Sequence, residues 1–391
     1  MTDPLAGGGG FLEQILGDLL GLMGGAGGTD RAELARGLAQ SVATGGEPEA
    51  NVDPVERIHL EELVRVAELH VAELTGLSPA PGGVPLAVEA VGPGAWARRT
   101  VDDWRFVLEL MTPATPPVMP GAGDPGTPQE LVARFMATMG PMLAALQMGS
   151  AVGHLAKTTL GQYELPIPRP PGALLLVPAN VRAFAEDWSL PVDDVRLWVC
   201  LREVTVHAVL GRPDVAERLR TLLGDVVEGM AGDSAGIMEQ LQHLDPADPE
   251  SFQRMLADPE ALVGTEPSPQ RRQAADQLMA AVAALLGYVE HVLDRTGTRL
   301  LGGRGALAEA WRRRQVARDN AARTAEVLFG LDLGPAQLER GVAFVEGVVE
   351  RAGEDGLAKL WRTAEALPTP SEVEAPGLWL ARISLDEPPP A

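Results

Sequence analysis

Residues 197–210, LWVCLREVTVHAVL, are polar only at Arg202, Glu203, Thr205 and His207. A surface helix keeps one polar face, whereas a helix apolar on nearly every side must be enclosed by protein. The chain therefore has to build a core thick enough to surround a whole helix and the ionisable groups on it. Buried ionisable groups find partners or shift their pKa values, because an unpaired buried charge is too costly. Glu203 and His207 are four apart and share a face. Arg202 points about 100° away from Glu203 and requires another carboxylate or a carbonyl. A second helix, predicted over 268–296, ends in AAVAALLGYVEHVLDRTG, where Glu290, His291 and Asp294 interrupt an apolar run. One of the two acids can hold Arg202, or join Glu203 and His207 around a metal or a water. The residues alone leave three readings open: a buried ion-pair network that fixes helix packing, a degenerate but solvent-reached cleft, or a working hydrolytic or metal centre. A buried network does not by itself mean catalysis.

The remaining composition narrows the class. With 391 residues, 46% of them hydrophobic, the chain can bury one large core or two modest ones. A net charge of -22 repels phosphate, which argues against nucleic-acid partners and against docking on an anionic membrane face. Lys157 and Lys359 are the only lysines; with abundant Ala, Gly and Pro, this suggests a GC-rich bacterial genome. Cys200 is the single cysteine, which excludes an internal disulfide and any multi-thiolate zinc site, fits a cytoplasmic location, and reads as a buried structural thiol. The first residues lack a basic n-region and carry Glu13 and Asp18, so they do not read as a secretory signal.

Along the chain, residues 1–29 read as a flexible glycine-rich leader around one apolar stretch, Phe11 to Met23, and 386–391 as a disordered tail. Asp30 caps a predicted helix to about Val42. Asp53-Pro54 opens another through Leu74, carrying Val55, Ile58, Val66 and Leu69. Thr100 and Asp103 resemble a capping box before a helix with Trp104, Val107 and Leu108. Residues 112–128 form a proline- and glycine-rich linker, so a helical subdomain over 30–111 could pack on the remainder. The stretch 129–162 is long and free of full charge between Arg134 and Lys157, but reads as a buried core helix in which Gly149 and Gly153 permit close packing, without stable membrane insertion. Leu174–Val177 is the one convincing strand. Helices are predicted at about 180–188, 192–210, 213–230, 235–244, 304–329 and 334–353. The basic residues Arg304, Arg312, Arg313, Arg314, Arg318 and Arg323 read as a solvated helix face, and the seven tryptophans as packing. The predicted class is mainly α with very little strand.

The stretches MGPMLAALQMGSAVGHLA, LLLVPANVRAFAEDWSLPVDDVRLWVCLREVTVHAV, LLGYVEHVLD, LFGLDLGPAQLERGVAFVEGVVE and LWRTAEALPTPSEVEAPGLWLARI together resemble the zincin-like metallopeptidase type 2 family. Its members, mostly actinobacterial, are labelled candidate hydrolases or zinc-dependent metalloproteases. The resemblance covers roughly residues 30–385 and implies a zincin-like, minimal gluzincin-type helical domain. In metalloprotease-like members an H-E-x-x-H helix binds zinc through two histidines, while the glutamate activates water; a glutamate before a glycine on a later helix completes the site. Carried over, the first histidine falls on Arg202, the glutamate on Glu203, the second histidine on Val206, and the third ligand, before Gly287, on Leu286. All three ligand positions are lost. His207 lies one residue beyond the second, about 100° around the helix. The resemblance thus implies a member without its zinc, serving as a binding or regulatory relative toward an unidentified protein or peptide. The alternative is an active metallopeptidase-like hydrolase with Glu203 as general base and a rewired site drawing on His207 and on Glu290 or His291.

Overall fold

The computed structural model describes residues 31–80, 84–111, 128–242, 268–317 and 320–386. The leader, the linker up to residue 127 and the tail beyond Asp386 lie outside the described residues, as do His243 and Arg318. In chain order the elements are α1 (Arg31–Thr44), α2 (Pro54–Thr75), β1 (Val88–Ala90), α3 (Pro93–Asp103), α4 (Arg105–Leu110), α5 (Pro128–Ala156) and β2 (Leu174–Leu176). Next come α6 (Pro178–Asp187), α7 (Val192–Leu210), α8 (Pro213–Gln242), α9 (Pro269–Leu300), α10 (Arg304–Val316) and α11 (Asn320–Leu328). The last are α12 (Pro335–Leu357), a single 3-10 turn (Ala364–Ala366), α13 (Pro370–Glu374) and α14 (Pro376–Asp386). The fold is mainly α.

Proline marks the starts: α2, α3, α5, α6, α8, α9, α12, α13 and α14 all begin on one. The ring fixes φ near the helical value, and the missing N–H would have had no helical acceptor there. α2 begins as the sequence predicts, with the Asp53 side chain accepting the Val55 N–H at 2.8 Å, and ends at Gly76 with φ 67°, a left-handed cap suited to glycine. Its buried face is Leu60, Val64, Ala67 and Val71, however, while Val55, Ile58, Val66 and Leu69 face outward.

Other expectations need correction. Thr100 and Asp103 are not a capping box. The helix starts earlier, at Pro93, and Thr100 is buried inside it with its hydroxyl turned to Arg169. The chain does form a capping box at Thr369 and Glu372, where the sequence reading placed none. α5 ends at Ala156 rather than 162; α8 is continuous across the expected break near 230; and 304–329 divides into α10 and α11. A second strand, β1, pairs in parallel with β2, Val88 opposite Leu174 and Ala90 opposite Leu176. Its three residues are too few to show a period. β2 is buried at every position, as its unbroken Leu-Leu-Leu suggests.

Two close helix crossings carry the core. α1 lies on α5, where a Cβ at Gly149 would stand 2.7 Å from the Ala35 carbonyl oxygen and one at Gly153 2.6 Å from Val42 Cβ. α9 lies on α12, where Gly287 meets the Gly341 backbone and Gly341 meets the Ala283 carbonyl with no room for a Cβ on either side. α7 is enclosed by α2, α6 and α9. Among the described residues no helix is long and apolar enough to cross a membrane.

Candidate functional site

Between α5 and β2 the chain runs irregularly, yet Thr159 to Arg169 are buried. Buried irregular backbone is unusual, because each of its N–H and C=O groups must find a partner that no regular ladder supplies. Here side chains supply them. The Gly161 carbonyl accepts from Trp96 Nε1 at 2.9 Å and from the Thr159 hydroxyl at 2.7 Å. The Gln162 carbonyl accepts from Arg169 at 2.9 Å, and the Gln162 side chain accepts the Leu175 N–H of β2 at 3.0 Å. Asn180 of α6 donates to the Ala156 and Thr159 carbonyls.

Tyr163 is where α7 joins this scheme. Its N–H donates to Glu203 Oε2 at 2.8 Å, and its carbonyl accepts from Arg202 at 3.1 Å. The other Arg202 nitrogen donates to Glu203 Oε1. Two adjacent side chains on α7 therefore read one residue's backbone as a neighbouring strand would. The Tyr163 hydroxyl reaches His207 Nδ1 at 2.9 Å, so Glu203 and His207, predicted to share a face, meet on the same tyrosine. Gly161 makes the approach possible: a Cβ there would lie 2.6 Å from the Glu203 carboxyl carbon.

Further ion pairs hold the same loop. Arg169 donates to Asp103 at 2.9 Å and to Thr100 at 3.0 Å, and lies 5.3 and 5.2 Å from the ring centres of Trp96 and Trp104. Arg314 of α10 donates to Glu164 at 3.2 Å and to the Thr158 carbonyl at 2.6 Å. It stacks on Trp311, over which Arg202 also lies, each 4.9 Å from the ring centre. Arg314 was expected on a solvated face; instead it is largely buried, while Arg312 and Arg313 are exposed. Three carboxylates and three guanidiniums thus balance around one loop.

The electrostatics follow from enclosure. Glu203 is 1% exposed, and burial raises its pKa above the usual carboxylate range, against the pull of Arg202 and the Tyr163 N–H. Burial alone pushes His207 down to about 4, so it is neutral at physiological pH. Tyr163 and Cys200 are raised by burial, which leaves the thiol inert as a nucleophile.

The other sequence candidates lie differently. Val206 is buried and Leu286 half-buried, both in apolar packing. Glu203 itself and the Tyr163 carbonyl supply the acceptors of Arg202; the carbonyl was among the partners expected, whereas the adjacent glutamate, about 100° around the helix, was not. His291 is directed to Glu354 on α12 at 3.0 Å, a carboxylate that Arg295 approaches at 3.5 Å. Among the described residues, no three His, Cys, Asp or Glu side chains are grouped to hold a metal. The donor set at the three expected ligand positions is a guanidinium and two hydrocarbon chains, which does not fit zinc. A cleft of about 840 Å³ opens elsewhere, lined by Glu49, Glu56, His59, Arg182 and Arg196 among others, and does not include Glu203. Sequence reasoning missed Gly161, Tyr163, Glu164 and Arg169, because a buried irregular loop carries no periodic signal.

Comparison with known proteins agrees with this architecture. A family model described as zincin-like metallopeptidase matches residues 32–380. A crystal structure of a candidate hydrolase with a novel fold from Chloroflexus aurantiacus superposes with a TM-score of 0.61 at 22% identity, over 91% of this chain and 99% of that one. At that identity the likeness is one of fold. No curated protein matches.

Proposed function

Given that the chain belongs to the zincin-like metallopeptidase family, we propose that it is a member whose zinc site has been dismantled and which serves as a binding or regulatory relative toward a protein or peptide. One observation carries this reading. Arg202 and Glu203, at the first-histidine and glutamate positions, spend their hydrogen bonds on each other and on the Tyr163 backbone. A general base must reach the proton it removes, and Glu203 is 1% exposed with its two oxygens turned to the Tyr163 N–H and Arg202. A zinc site needs three protein donors, and an arginine in place of one repels the cation. In this reading the two positions serve to hold a loop.

The second reading, a rewired hydrolase, draws on the raised Glu203 pKa, since perturbed carboxyls recur at catalytic sites. Elemental mass spectrometry on protein purified without chelator and re-exposed to zinc separates the two. No retained metal is the expected result. Near one zinc per chain, lost in Glu203→Gln/His207→Ala, would establish the rewired site. Glu203→Gln is expected to lower stability by about 1–3 kcal/mol, because the amide nitrogen must face either the Tyr163 N–H or Arg202 and leaves one buried donor without an acceptor. A fold of unchanged stability with abolished hydrolysis would mark a catalytic base instead.

A further inference from the structure

The outer face of α2 repeats at three- and four-residue intervals. Val55, Ile58 and Leu69 are 73%, 53% and 71% exposed, and Glu62, Arg65 and Val66 lie exposed between them. The spacing 55, 58, 62, 65, 69 is that of the a and d positions of a coiled-coil seam. Val66 flanks the seam, and the inner face of the same helix is occupied by Leu60, Val64, Ala67 and Val71. Helices with an apolar inner face and a second apolar outer stripe are built to be covered on both sides. Neither Glu62 nor Arg65 forms an ion pair or hydrogen bond among the described residues.

We propose that this stripe pairs with the same stripe of a second copy of the chain, antiparallel, about a two-fold axis between Glu62 and Arg65. In an antiparallel seam, a positions face d positions. That register sets Ile58 against Leu69 of the second copy, Glu62 against its Arg65, and Val55 against its Ala72, each contact occurring twice by symmetry. Opposite charges meet at the centre and apolar side chains on either side, which is what an isologous contact requires. A parallel pairing would set Glu62 against Glu62 and Arg65 against Arg65. The stripe is thus complementary to itself in one orientation only, and this selects a second copy over an unrelated helix. The contact is one helix wide, below the area of a standard interface, so the dimer forms and dissociates across the micromolar range.

Sedimentation velocity of the full chain tests this. The wild type is expected to dimerise with concentration. Leu69→Asp and Glu62→Arg are each expected to weaken dimerisation by about tenfold or more. Both residues are exposed, so the monomer should keep its circular dichroism and melting temperature. The double variant Glu62→Arg/Arg65→Glu restores the pairing with signs exchanged and is expected to return the dimer to within about threefold of wild type. A chain that stays monomeric up to about 200 µM, or a dimer indifferent to all three variants, overturns the proposal. So does a monomer that begins to self-associate when Leu16→Asp is made in the apolar leader, since the leader would then be what covers α2.

Discussion

α7 and α9 are the two core helices whose ionisable residues the sequence singles out, and they are held by different means. α7 is fixed by polar groups: Arg202, Glu203 and His207 each bond to Tyr163. α9 is fixed by the absence of side chains: beside Leu286, Gly287 packs directly against the Gly341 backbone of α12. The difference shows that one helix of this core is fixed by neutralised charge and its neighbour by direct backbone contact.

The comparison breaks first at the glycine crossing. Gly341→Val places a branched side chain on the Ala283 carbonyl, and with no flexible neighbour to yield, a loss of more than about 5 kcal/mol or failure to fold is expected. Expression as folded protein and a urea titration check it; a small loss would mean that α12 can slide. At the polar helix, Arg202→Leu leaves Glu203 buried without its counter-charge and is expected to cost about 3–5 kcal/mol at neutral pH, with most of this recovered in Arg202→Met/Glu203→Leu. Failure of the double variant to recover would show that the loop needs these hydrogen bonds and not merely charge balance.

Acid sharpens the contrast further, because Glu203 and His207 on the polar helix titrate whereas a glycine-to-glycine crossing does not. The folded pKa of His207 is lowered from 6.5 to about 4. Its contribution is therefore complete above about pH 6.5 and lost as pH falls toward 4, a loss of about 3 kcal/mol. Glu203 runs the other way: its raised folded pKa means that the fold favours the protonated form, so stability is regained as pH falls through that value. Urea midpoints at pH 7 and pH 4 for wild type and His207→Gln isolate the histidine share; identical pH dependence in both would remove it. The smallest effect is expected at the surface. Arg182→Ala removes an exposed partner of Glu56 but leaves Arg196 at 2.9 Å, so less than about 1 kcal/mol is expected.

Much of the fold is visible in the sequence wherever a boundary is chemical. Asp53-Pro54 and the apolar run 197–210 give α2 and α7 almost to the residue. Gly149 and Gly153 foretell the close approach of α1 to α5. Periodicity alone misled at α2, where Val55, Ile58, Val66 and Leu69 on the outer side compete with Leu60, Val64, Ala67 and Val71 on the inner one. The site was legible by half. Arg202, Glu203 and His207 announce themselves as polar residues in an apolar helix. Their true partner, Tyr163, does not, because it offers mostly backbone atoms, and every residue has those. Arg314 misled for a related reason: an arginine among arginines looks solvated until two aromatic rings are seen beside it.

The prolines at nine helix starts bear on conformations the molecule does not occupy. A helix apolar on most sides loses little burial when it is displaced along its axis by a residue or two, so hydrophobicity fixes its location better than its frame. A proline at the first position is harmless there, but one turn further in it would remove a hydrogen bond and strike the preceding turn, at about 3 kcal/mol. Each of these residues therefore acts as a stop against misregistered alternatives. The frame it enforces is what lets glycine meet glycine at Gly287 of α9 and Gly341 of α12.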